Sequence, residues 1–402
     1  MAVQEFNPRS TDSEGPARPL RVMHVLGGRM RSGVESVVLD LADGLRRHGG
    51  EPLLVPLAEG EFTEEARDRG FRVEPLEKRF HGDVLSIPRL TRMIKRHQID
   101  VLHSHAHNGA FYGCPAGRLA RGCEQVSTVH IDTEKSTADF FRWKLPCKLT
   151  ARCYVWLMRW CRRVTTVNAA LRDDLIRRGQ PREKVVFIPN GIDLACCEPA
   201  GGEREAVRNE LGIPDGTHVI GAVSRLAPFK NFPMLLTVAR QLVDHGENIR
   251  LLIVGDGPER DKLESMAAEL GIASHVHFTG WRTDAPRMIS AFDVFAMTSH
   301  IEGAPIAALE AMALAKPIVT TEVGIFAEFP DYREMGLTVA PDDVAQMTAV
   351  IRSLLHDREQ ARRAGELGRN LVEREFNKDV MVRRMMGIYR DVLAERAAGR
   401  PV

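Results

Sequence analysis

Two carboxylates in one short stretch are well placed to hold an extended ligand. From Asp293 to Thr320 the 402-residue chain has the pattern of a strand, a polar loop, a helix and another strand, with Glu302 in the loop and Glu310 in the Ala/Leu/Met-rich helix. Their spacing corresponds to ~12 Å along a helix, which suits two separate hydroxyl-rich parts of one ligand, whereas a glycosidase pair needs about 5–9.5 Å. The alternative is that Glu310 is a surface charge, although its apolar neighbours favour burial beside a partner.

Two cations come earlier in the sequence. Arg225 and Lys230 lie in a loop after the apolar run 219–223 and before a helix predicted to begin near Phe232 and Pro233. Two cations together with the free N–H groups of a helix start suit a diphosphate. Solvated surface charges are the alternative interpretation.

Histidines mark the ends of two other predicted strands. His103 and His105 alternate with His107, so in a strand their side chains would share one face. A metal site is one interpretation, although no carboxylate or cysteine stands at ligand spacing. His130 ends the run 126–130, where a strand end would bring it to a ligand-binding edge; a histidine satisfied within its own loop is the alternative.

The elements that must position these side chains alternate between strands and helices. A strand at 21–26, a Gly-containing loop, a helix at 33–48 and a strand at 51–57 form a βαβ unit, and a second alternation begins at 219–223. The pattern predicts an α/β protein with two Rossmann-like, doubly wound domains.

The composition is that of a globular protein. Apolar residues make up 44% of the chain and charged residues 27%, no run of 18 apolar residues occurs, and the sequence does not open with a signal-peptide pattern. The seven cysteines include no C-x-x-C pair, which favours reduced thiols over disulfides or zinc ligands. We expect a cytoplasmic protein with no nucleic-acid partner.

A basic segment at 141–163 could meet a membrane. It holds seven Lys and Arg and no acid, within a first half of the chain that is basic as a whole. On one continuous helix a basic stripe would adjoin an apolar one; their members are Lys148, Arg152, Arg159 and Arg163, and Leu149, Cys153, Trp156, Leu157 and Trp160. Trp beside Arg suits an anionic bilayer surface, and packing of the apolar stripe on the core is the alternative.

The motifs resemble those of one known family. E-G-x-P-x-x-x-x-E-A-M-A at 302–313, preceded by D-V-F and followed by K-P-I-V, resembles the signature of the retaining glycosyltransferases of family 4, also called group 1. P-N-G-I-D at 189–193 and S-R-L-A-P-F-K-N at 224–231 match further motifs of that family. The resemblance runs from about residue 20 to 395; Ser32, Ser224 and Ile325 stand where the family has glycine.

The resemblance implies a role for each candidate residue. Arg225 and Lys230 would hold the donor diphosphate, Glu310 the ribose hydroxyls, and Glu302 the donor sugar, with His130 close to that sugar. The residues that it assigns to catalysis are His130, Arg225, Lys230 and Glu302; to donor binding, Gly33, Gly255, Gly280, Gly303, Ala304, Pro305, Ile306 and Glu310; and to the acceptor side, His103, His105 and Glu35.

The resemblance also implies the GT-B fold, in which two Rossmann-like doubly wound domains face each other across a cleft. We expect a disordered tail at 1–19, an acceptor domain at 20–194 with a C-terminal helix, 376–396, packed back on it, and a nucleotide-sugar donor domain at 195–375.

The implied function is retaining, metal-independent transfer of a sugar from a nucleoside-diphosphate sugar to a glycan or lipid-linked acceptor, in cell-surface polysaccharide synthesis. No metal or other cofactor is expected, and segment 141–163 suits peripheral attachment to the inner face of a membrane. Two alternatives remain open. One is a GT-B nucleotide-sugar epimerase; the other is a catalytically silent binding protein, against which the joint presence of the four charged candidates argues.

Overall fold

The computed structural model describes residues 18–27, 33–78, 80, 82–132, 147–198 and 201–400, without the side chains of 147–150. Most of the predicted tail, 1–19, lies outside these ranges. The chain forms two compact units. The first runs to Gly191 and resumes at Lys378, and the second is Ile192–Asn377; the boundaries predicted from the sequence were 194/195 and 375/376.

A seven-stranded parallel sheet organises the first unit. Its strands are Arg21–Leu26 (β1), Glu51–Pro56 (β2), Arg72–Val73 (β3), Val101–His105 (β4), Glu124–Val129 (β5), Arg163–Thr166 (β6) and Val185–Phe187 (β7). Their spatial order is β3-β2-β1-β4-β5-β6-β7. The order reverses between β1 and β4, and it is at such a switch point that open α/β sheets bind ligands.

Helices cover both faces of this sheet. They are Gly33–Arg47 (α1), Glu61–Asp68 (α2), Ser86–Arg96 (α3), Ala106–Ala120 (α4), Cys147–Leu157 (α5) and Ala169–Arg177 (α6). Side chains alternate along β1: Met23 and Val25 join a core with α3 and α4, whereas Leu26 joins a core with α1 and α2. His24 therefore shares the face of Leu26.

Helix α4 has no counterpart among the predicted elements, because its three glycines and one proline are poor helix formers. The glycines recur at four-residue spacing and face the sheet. A Cβ on Gly109 would lie 2.4 Å from the carbonyl oxygen of Val25, and one on Gly113 would lie 2.1 Å from Ser104 Oγ. The close approach of α4 to β1 and β4 therefore depends on the missing side chains.

The second unit repeats this architecture with six parallel strands. They are His218–Val223 (β8), Ile249–Val254 (β9), Val276–Gly280 (β10), Val294–Met297 (β11), Ile318–Thr321 (β12) and Thr338–Val339 (β13), in the order β10-β9-β8-β11-β12-β13. Its helices are Glu203–Glu210 (α7), Phe232–Asp244 (α8), Arg260–Glu269 (α9), Ala285–Ser290 (α10), Ile306–Ala313 (α11), Pro330–Glu334 (α12), Val344–His356 (α13) and Arg358–Glu375 (α14). The predicted pair of Rossmann-like α/β domains is confirmed.

The last helix, Lys378–Ala397 (α15), belongs to the first unit. It meets α1 closely: a Cβ on Gly44 would lie 2.4 Å from Val382 Cγ1. Tyr389 brings its hydroxyl to 2.6 Å from His103 Nδ1 on β4. The most N-terminal and the most C-terminal helices of this unit thus share one side of its sheet.

The prediction of one continuous helix over 141–163 is wrong. Residues 141–146 lie outside the described ranges, α5 ends at Leu157, a 3-10 turn occupies Met158–Trp160, and Arg163 opens β6. Arg163 pairs with Glu395 on α15, so it is not part of a basic stripe on α5. The chain has to leave the helix here to enter the sheet.

Arg162, just before β6, is buried beside an acid of the neighbouring strand β5. Its Nε lies 2.6 Å from Glu124 Oε2, and the two side chains are 5% and 9% exposed. A buried charge of this kind needs its partner, so the pair fixes the start of β6 beside β5. Among the helices of the described chain, none combines the length and apolar character needed to cross a membrane.

Candidate functional site

Two predicted site residues follow neighbouring strands at the switch point of the second sheet. Lys230 lies in the loop after β8 and Glu302 in the loop after β11. The two strands are parallel and paired, so both loops leave the same edge. They flank a small cavity of about 30 Å³, lined in part by Ser224 and Ala308. That space holds one water molecule, so a larger ligand would have to lie on the open edge.

An ion pair joins the two loops. Lys230 Nζ lies 2.6 Å from Glu302 Oε1, and the side chains are 16% and 6% exposed. The Ser299 hydroxyl donates to the same carboxylate oxygen at 2.6 Å. Both donors offset the cost of burying the carboxylate. An ammonium has three N–H donors, so one contact with Glu302 leaves donors of Lys230 for a ligand.

Hydrogen bonds to the backbone hold the Lys230 loop in place. The Thr298 hydroxyl shares its bond between the carbonyls of Lys230, at 3.1 Å, and Asn231, at 2.9 Å. The His300 N–H donates to the carbonyl of Phe229 at 2.8 Å. Asn231 adopts a left-handed conformation with φ of 51°, which Asn tolerates better than most residues. The loop after β11 therefore positions the loop after β8.

Arg225 lies on the same loop as Lys230, as predicted. Its side chain is exposed and forms no ion pair with any residue in the described ranges. The next loop, after β9, packs tightly here: a Cβ on Gly255, where φ is +134°, would lie 2.0 Å from the carbonyl oxygen of Ser224. The Gly255 N–H donates to the carbonyl of Gly280 at 2.9 Å. These two glycines, assigned to donor binding by resemblance, shape the edge on which Arg225 stands.

The predicted sugar-binding turn precedes α11. It consists of Gly303, Ala304, Pro305 and Ile306, the last of which begins the helix. The carbonyl of Gly303 accepts a hydrogen bond from the Ile325 N–H at 3.0 Å. Ile325 is buried, so the side chain that replaces a family glycine points into the core and its backbone ties down the turn.

Glu310 lies one turn into α11 and is half-buried among buried apolar neighbours, as its surroundings in the sequence indicated. Cys197 lies within its electrostatic reach. Burial, and then the negative charge of Glu310, raise the pKa of the Cys197 thiol to about 12. The thiol is therefore protonated at neutral pH, and Glu310 and Asp193 are the carboxylates that place negative charge near it.

The predicted histidines of the first unit are buried at the switch point of its sheet. His103 and His105, on β4, are fully buried, and His130, after β5, is 8% exposed. His103 is bonded on both sides: Nδ1 lies 2.6 Å from Tyr389 Oη and Nε2 lies 2.6 Å from Thr128 Oγ1. Because β4 ends at His105, His107 lies on α4 rather than on a shared strand face.

A fourth histidine, His24, was missed in the sequence. It stands opposite His103 in the register of β1 and β4, and its Nδ1 lies 3.0 Å from His105 Nε2. His105 Nδ1 lies 3.4 Å from His130 Nε2. Burial lowers the pKa of His24 to about 3 and that of His130 to about 4, so both rings are neutral at pH 7. Only the strand order could have revealed this neighbour.

The remaining predicted residues lie at the start of α1. Gly33 is the exposed first residue of the helix, and Glu35, in its first turn, is 6% exposed. Glu35 Oε1 lies 3.8 Å from the point that a Cβ on Gly27 would occupy. Glu35 therefore faces the carboxyl end of β1. Loop residues 28–32 lie outside the described ranges.

Comparison with known proteins gives matches along most of the chain. Residues 31–195 match the family model "Glycosyltransferase Family 4", and residues 203–371 match "Glycosyl transferases group 1". One relative is the UDP-Gal:alpha-D-GlcNAc-diphosphoundecaprenol alpha-1,3-galactosyltransferase of Escherichia coli, which is 27% identical over 76% of this chain and 80% of that protein. Another is the GDP-mannose-dependent alpha-(1-6)-phosphatidylinositol monomannoside mannosyltransferase of Mycolicibacterium smegmatis, 28% identical over 85% and 90%.

A solved structure has the same fold. The crystal structure of Anabaena Alr3699/HepE in complex with UDP-glucose matches 92% of this chain and 100% of that chain, with a TM-score of 0.80 and 20% sequence identity. At this level of identity the match bears on the fold rather than on the ligand.

Proposed function

This chain belongs to the group 1, family 4 glycosyltransferases and has the GT-B fold, and we propose that it transfers a sugar, with retention of anomeric configuration, from a nucleoside-diphosphate sugar to a glycan or lipid-linked acceptor. Nucleotide-sugar-dependent transfer is the activity of the family. The donor contacts, the stereochemistry and the acceptor are the parts that we propose.

The observation that carries the donor site is the ion pair of Lys230 and Glu302 beside an exposed Arg225. A departing diphosphate gains negative charge in the transition state, and fixed cations stabilise that charge without further reorganisation. Lys230 is fixed by Glu302, and Arg225 stands on the same loop with its guanidinium open to solvent. The two cations would hold the diphosphate.

Carboxylates would hold the hydroxyl-bearing ends of the donor. Glu302 and the turn Gly303–Ile306 lie on the edge next to Lys230, which supports contact with the sugar. Glu310 lies farther along α11 and would accept hydrogen bonds from the ribose hydroxyls. In the first unit, His130 would contact the sugar from the acceptor side.

Cations supplied by the protein suit a mechanism without a metal ion, and the described site offers no evident nucleophile, which fits attack of the acceptor hydroxyl on the face that the diphosphate leaves. We expect activity to persist in EDTA. The anomeric signal of the isolated product should show the configuration of the donor sugar; an inverted product would contradict the retaining mechanism.

The acceptor is proposed by analogy with relatives. The Escherichia coli enzyme is named for a diphosphoundecaprenol acceptor and the Mycolicibacterium smegmatis enzyme for a phosphatidylinositol acceptor. We therefore propose a lipid-linked glycan acceptor and a role in cell-surface polysaccharide synthesis. Such an acceptor would bring the enzyme to an anionic membrane surface, for which Arg152, Trp156 and Arg159 are exposed candidates within the described part of segment 141–163.

A thermal-shift screen across UDP-, GDP- and ADP-sugars tests the donor site. A donor at 100 times its Kd stabilises the folded protein by about 2.7 kcal/mol. Lys230→Ala should abolish the shift, whereas Lys262→Ala, which removes an exposed lysine of α9, should keep it. If no nucleotide sugar stabilises the wild type, donor binding is contradicted; if Lys230→Ala binds like the wild type, the site assignment is wrong.

A further inference from the structure

Three buried imidazole rings form a chain at the switch point of the first sheet. His24 and His105 have ring centroids 5.3 Å apart with planes inclined by 25°, and His105 and His130 have centroids 5.7 Å apart with planes inclined by 31°. The nitrogens that face each other are 3.0 Å and 3.4 Å apart. Each pair of rings therefore meets edge to edge through nitrogen rather than face to face.

The two ends of the chain carry buried nitrogens without a partner. His24 Nε2 and His130 Nδ1 are both inaccessible to solvent and have no hydrogen-bond partner among the described residues. Buried polar atoms are almost always satisfied, so each such atom calls for an explanation. His103 is different, since Tyr389 and Thr128 occupy both of its nitrogens.

A metal ion is a poor explanation for this cluster. His24, His103 and His105 do have ligand atoms within 4.8 Å of one another. However, His24 Nδ1 and His105 Nε2 point at each other across 3.0 Å, and a metal on that line would lie closer than the 2.0–2.1 Å of a zinc–histidine bond. Coordination by His103 would also break one of its two short hydrogen bonds. A hydrogen-bond chain accounts for the same distances without these costs.

Neutral imidazoles in such a chain must adopt matched tautomers. Each ring has one N–H donor and one acceptor nitrogen, so the choice at one ring fixes the next. If His24 donates from Nδ1, then His105 donates from Nδ1, and His130 is left with its proton on Nδ1. In the opposite sense, His130 offers a lone pair at Nδ1 and His24 buries an N–H at Nε2.

The cost of unsatisfied groups selects between the two senses. A buried N–H without an acceptor is rarer in proteins than an under-satisfied acceptor. Each sense leaves one buried N–H and one buried lone pair without a partner, so the cost depends on where the N–H lies. His24 is fully buried, whereas His130, after β5, is 8% exposed, so the sense that leaves the N–H on His130 is cheaper. The other end then carries an N–H, whose acceptor can arrive with a ligand.

We propose that His24 and His105 are positioning residues that hold His130 in the tautomer with its proton on Nδ1, so that His130 presents one neutral N–H donor to an oxygen of the bound sugar. The identity of that oxygen rests on the proposed function. The tautomer does not, because it follows from the hydrogen bonds and the burial of the three rings in the free protein.

Ring ¹⁵N spectroscopy of the free wild-type protein, labelled at histidine, tests the proposal directly. His130→Gln identifies the signals of His130 by their loss. We expect a protonated Nδ1 and an unprotonated Nε2 for His130. A proton on Nε2, or a mixture of tautomers, would overturn the proposal, as would metal found in the purified protein together with shifted signals of His24 and His105.

Two variants of His24, with side chains of nearly equal size, should then keep or reverse the direction of hydrogen bonding along the three histidines. His24→Asn places an amide donor near the position of Nδ1 and should keep the proton of His130 on Nδ1. His24→Asp supplies an acceptor, should draw a proton from His105 Nε2, and should move the proton of His130 to Nε2. This is the way in which a carboxylate fixes the tautomer of a neighbouring histidine in catalytic triads. His103→Gln, beside the chain but outside it, is the control for packing and should leave His130 unchanged.

Kinetics separate this role from a structural one. With a donor found in the screen, His24→Asp should lower kcat/KM by about tenfold, the loss of one hydrogen bond, while His24→Asn should stay within about twofold of the wild type. Equal losses in both variants, with His130 unchanged, would mean that His24 only fills space. If no donor binds, the spectra alone still decide the tautomer.

Discussion

Lys230 and Glu302 stand 72 positions apart in the sequence, and their charged groups meet at 2.6 Å. Both are proposed donor contacts, and in the free protein each is the partner of the other. An incoming diphosphate would therefore meet an ammonium that is already oriented, with two of its N–H groups left to donate. Glu302 would act on the diphosphate through Lys230 as well as on the sugar directly.

Breaking this pair on one side should destabilise the second unit. Lys230→Met leaves the Glu302 carboxylate buried, with Ser299 as its remaining side-chain donor among the described residues, and a charge that loses its partner in such a place costs about 3 kcal/mol. Hydrogen exchange of the β8 and β11 amides should report the loss. The double variant Lys230→Met, Glu302→Gln should recover most of it. Additive effects of the two single changes would show that the pair is not coupled.

Close packing at Gly255 should make its substitution more costly than that of a glycine with free space. A Cβ at Gly255 would lie 2.0 Å from a backbone oxygen, whereas Gly246 has φ of +80° and nothing within 4 Å of a Cβ. Gly246→Ala should cost about 1 kcal/mol through its backbone conformation. Gly255→Ala should cost at least about 2 kcal/mol more and weaken donor binding, in urea unfolding and the thermal-shift screen. Equal costs would contradict a tight contact between the loops after β8 and β9.

Acid should destabilise the first unit through its buried histidines. Burial lowers the pKa of His24 from 6.5 to about 3 and that of His130 from 6.5 to about 4. Between pH 6.5 and 4 the unfolded chain binds protons that the folded chain does not, so stability falls as the pH falls. At pH 5 each of these groups accounts for a loss of about 2 kcal/mol relative to neutral pH. Melting curves from pH 7.5 to 5 measure it, and His24→Asn should lower the slope by about one proton.

Membrane contact should depend on Trp156. Its side chain is 50% exposed at the end of α5, with the ring of Trp160 at 4.8 Å and the exposed Arg152 on the same helix. Trp156→Ala should weaken flotation with phosphatidylglycerol vesicles at low salt several-fold. Trp281→Ala, at a tryptophan that is 44% exposed in the second unit, should not. No binding of the wild type to anionic vesicles would end the membrane hypothesis.

Much of the second unit could be predicted from its sequence, because its signals are local. The loop of Arg225 and Lys230, the turn of Glu302 and the helix of Glu310 all lie within short segments bounded by apolar strands. The hydrogen bonds that hold these loops together could not be predicted. Ser299 and Thr298 look like ordinary polar loop residues, and their role follows from the pairing of β8 with β11.

The first unit was harder to predict because its contacts are not local. Helix α4 was not predicted because of its three glycines. Their missing side chains let the helix pack closely on the sheet, but glycine also lowers its helix propensity. His24 could be recognised as a neighbour of the predicted histidines only from its register with His103. The prediction of a helix as far as residue 163 was wrong for a similar reason. In the sequence Arg162 looks like one more exposed basic residue, and its burial becomes clear only when Glu124, on another strand, lies beside it.

The bond between His103 and Tyr389 affects the order in which the two units can fold during synthesis on the ribosome. The two residues are separated by 286 positions, and the whole second unit is encoded between them. During translation the second unit can therefore fold before the first has received its last helix. Until then the face of β4 that carries His103 has no α15 over it, and α1 lacks Val382 against Gly44. A nascent chain that has emerged from the ribosome only as far as residue 377 should thus expose one face of the first sheet to chaperones, even when the second unit has folded.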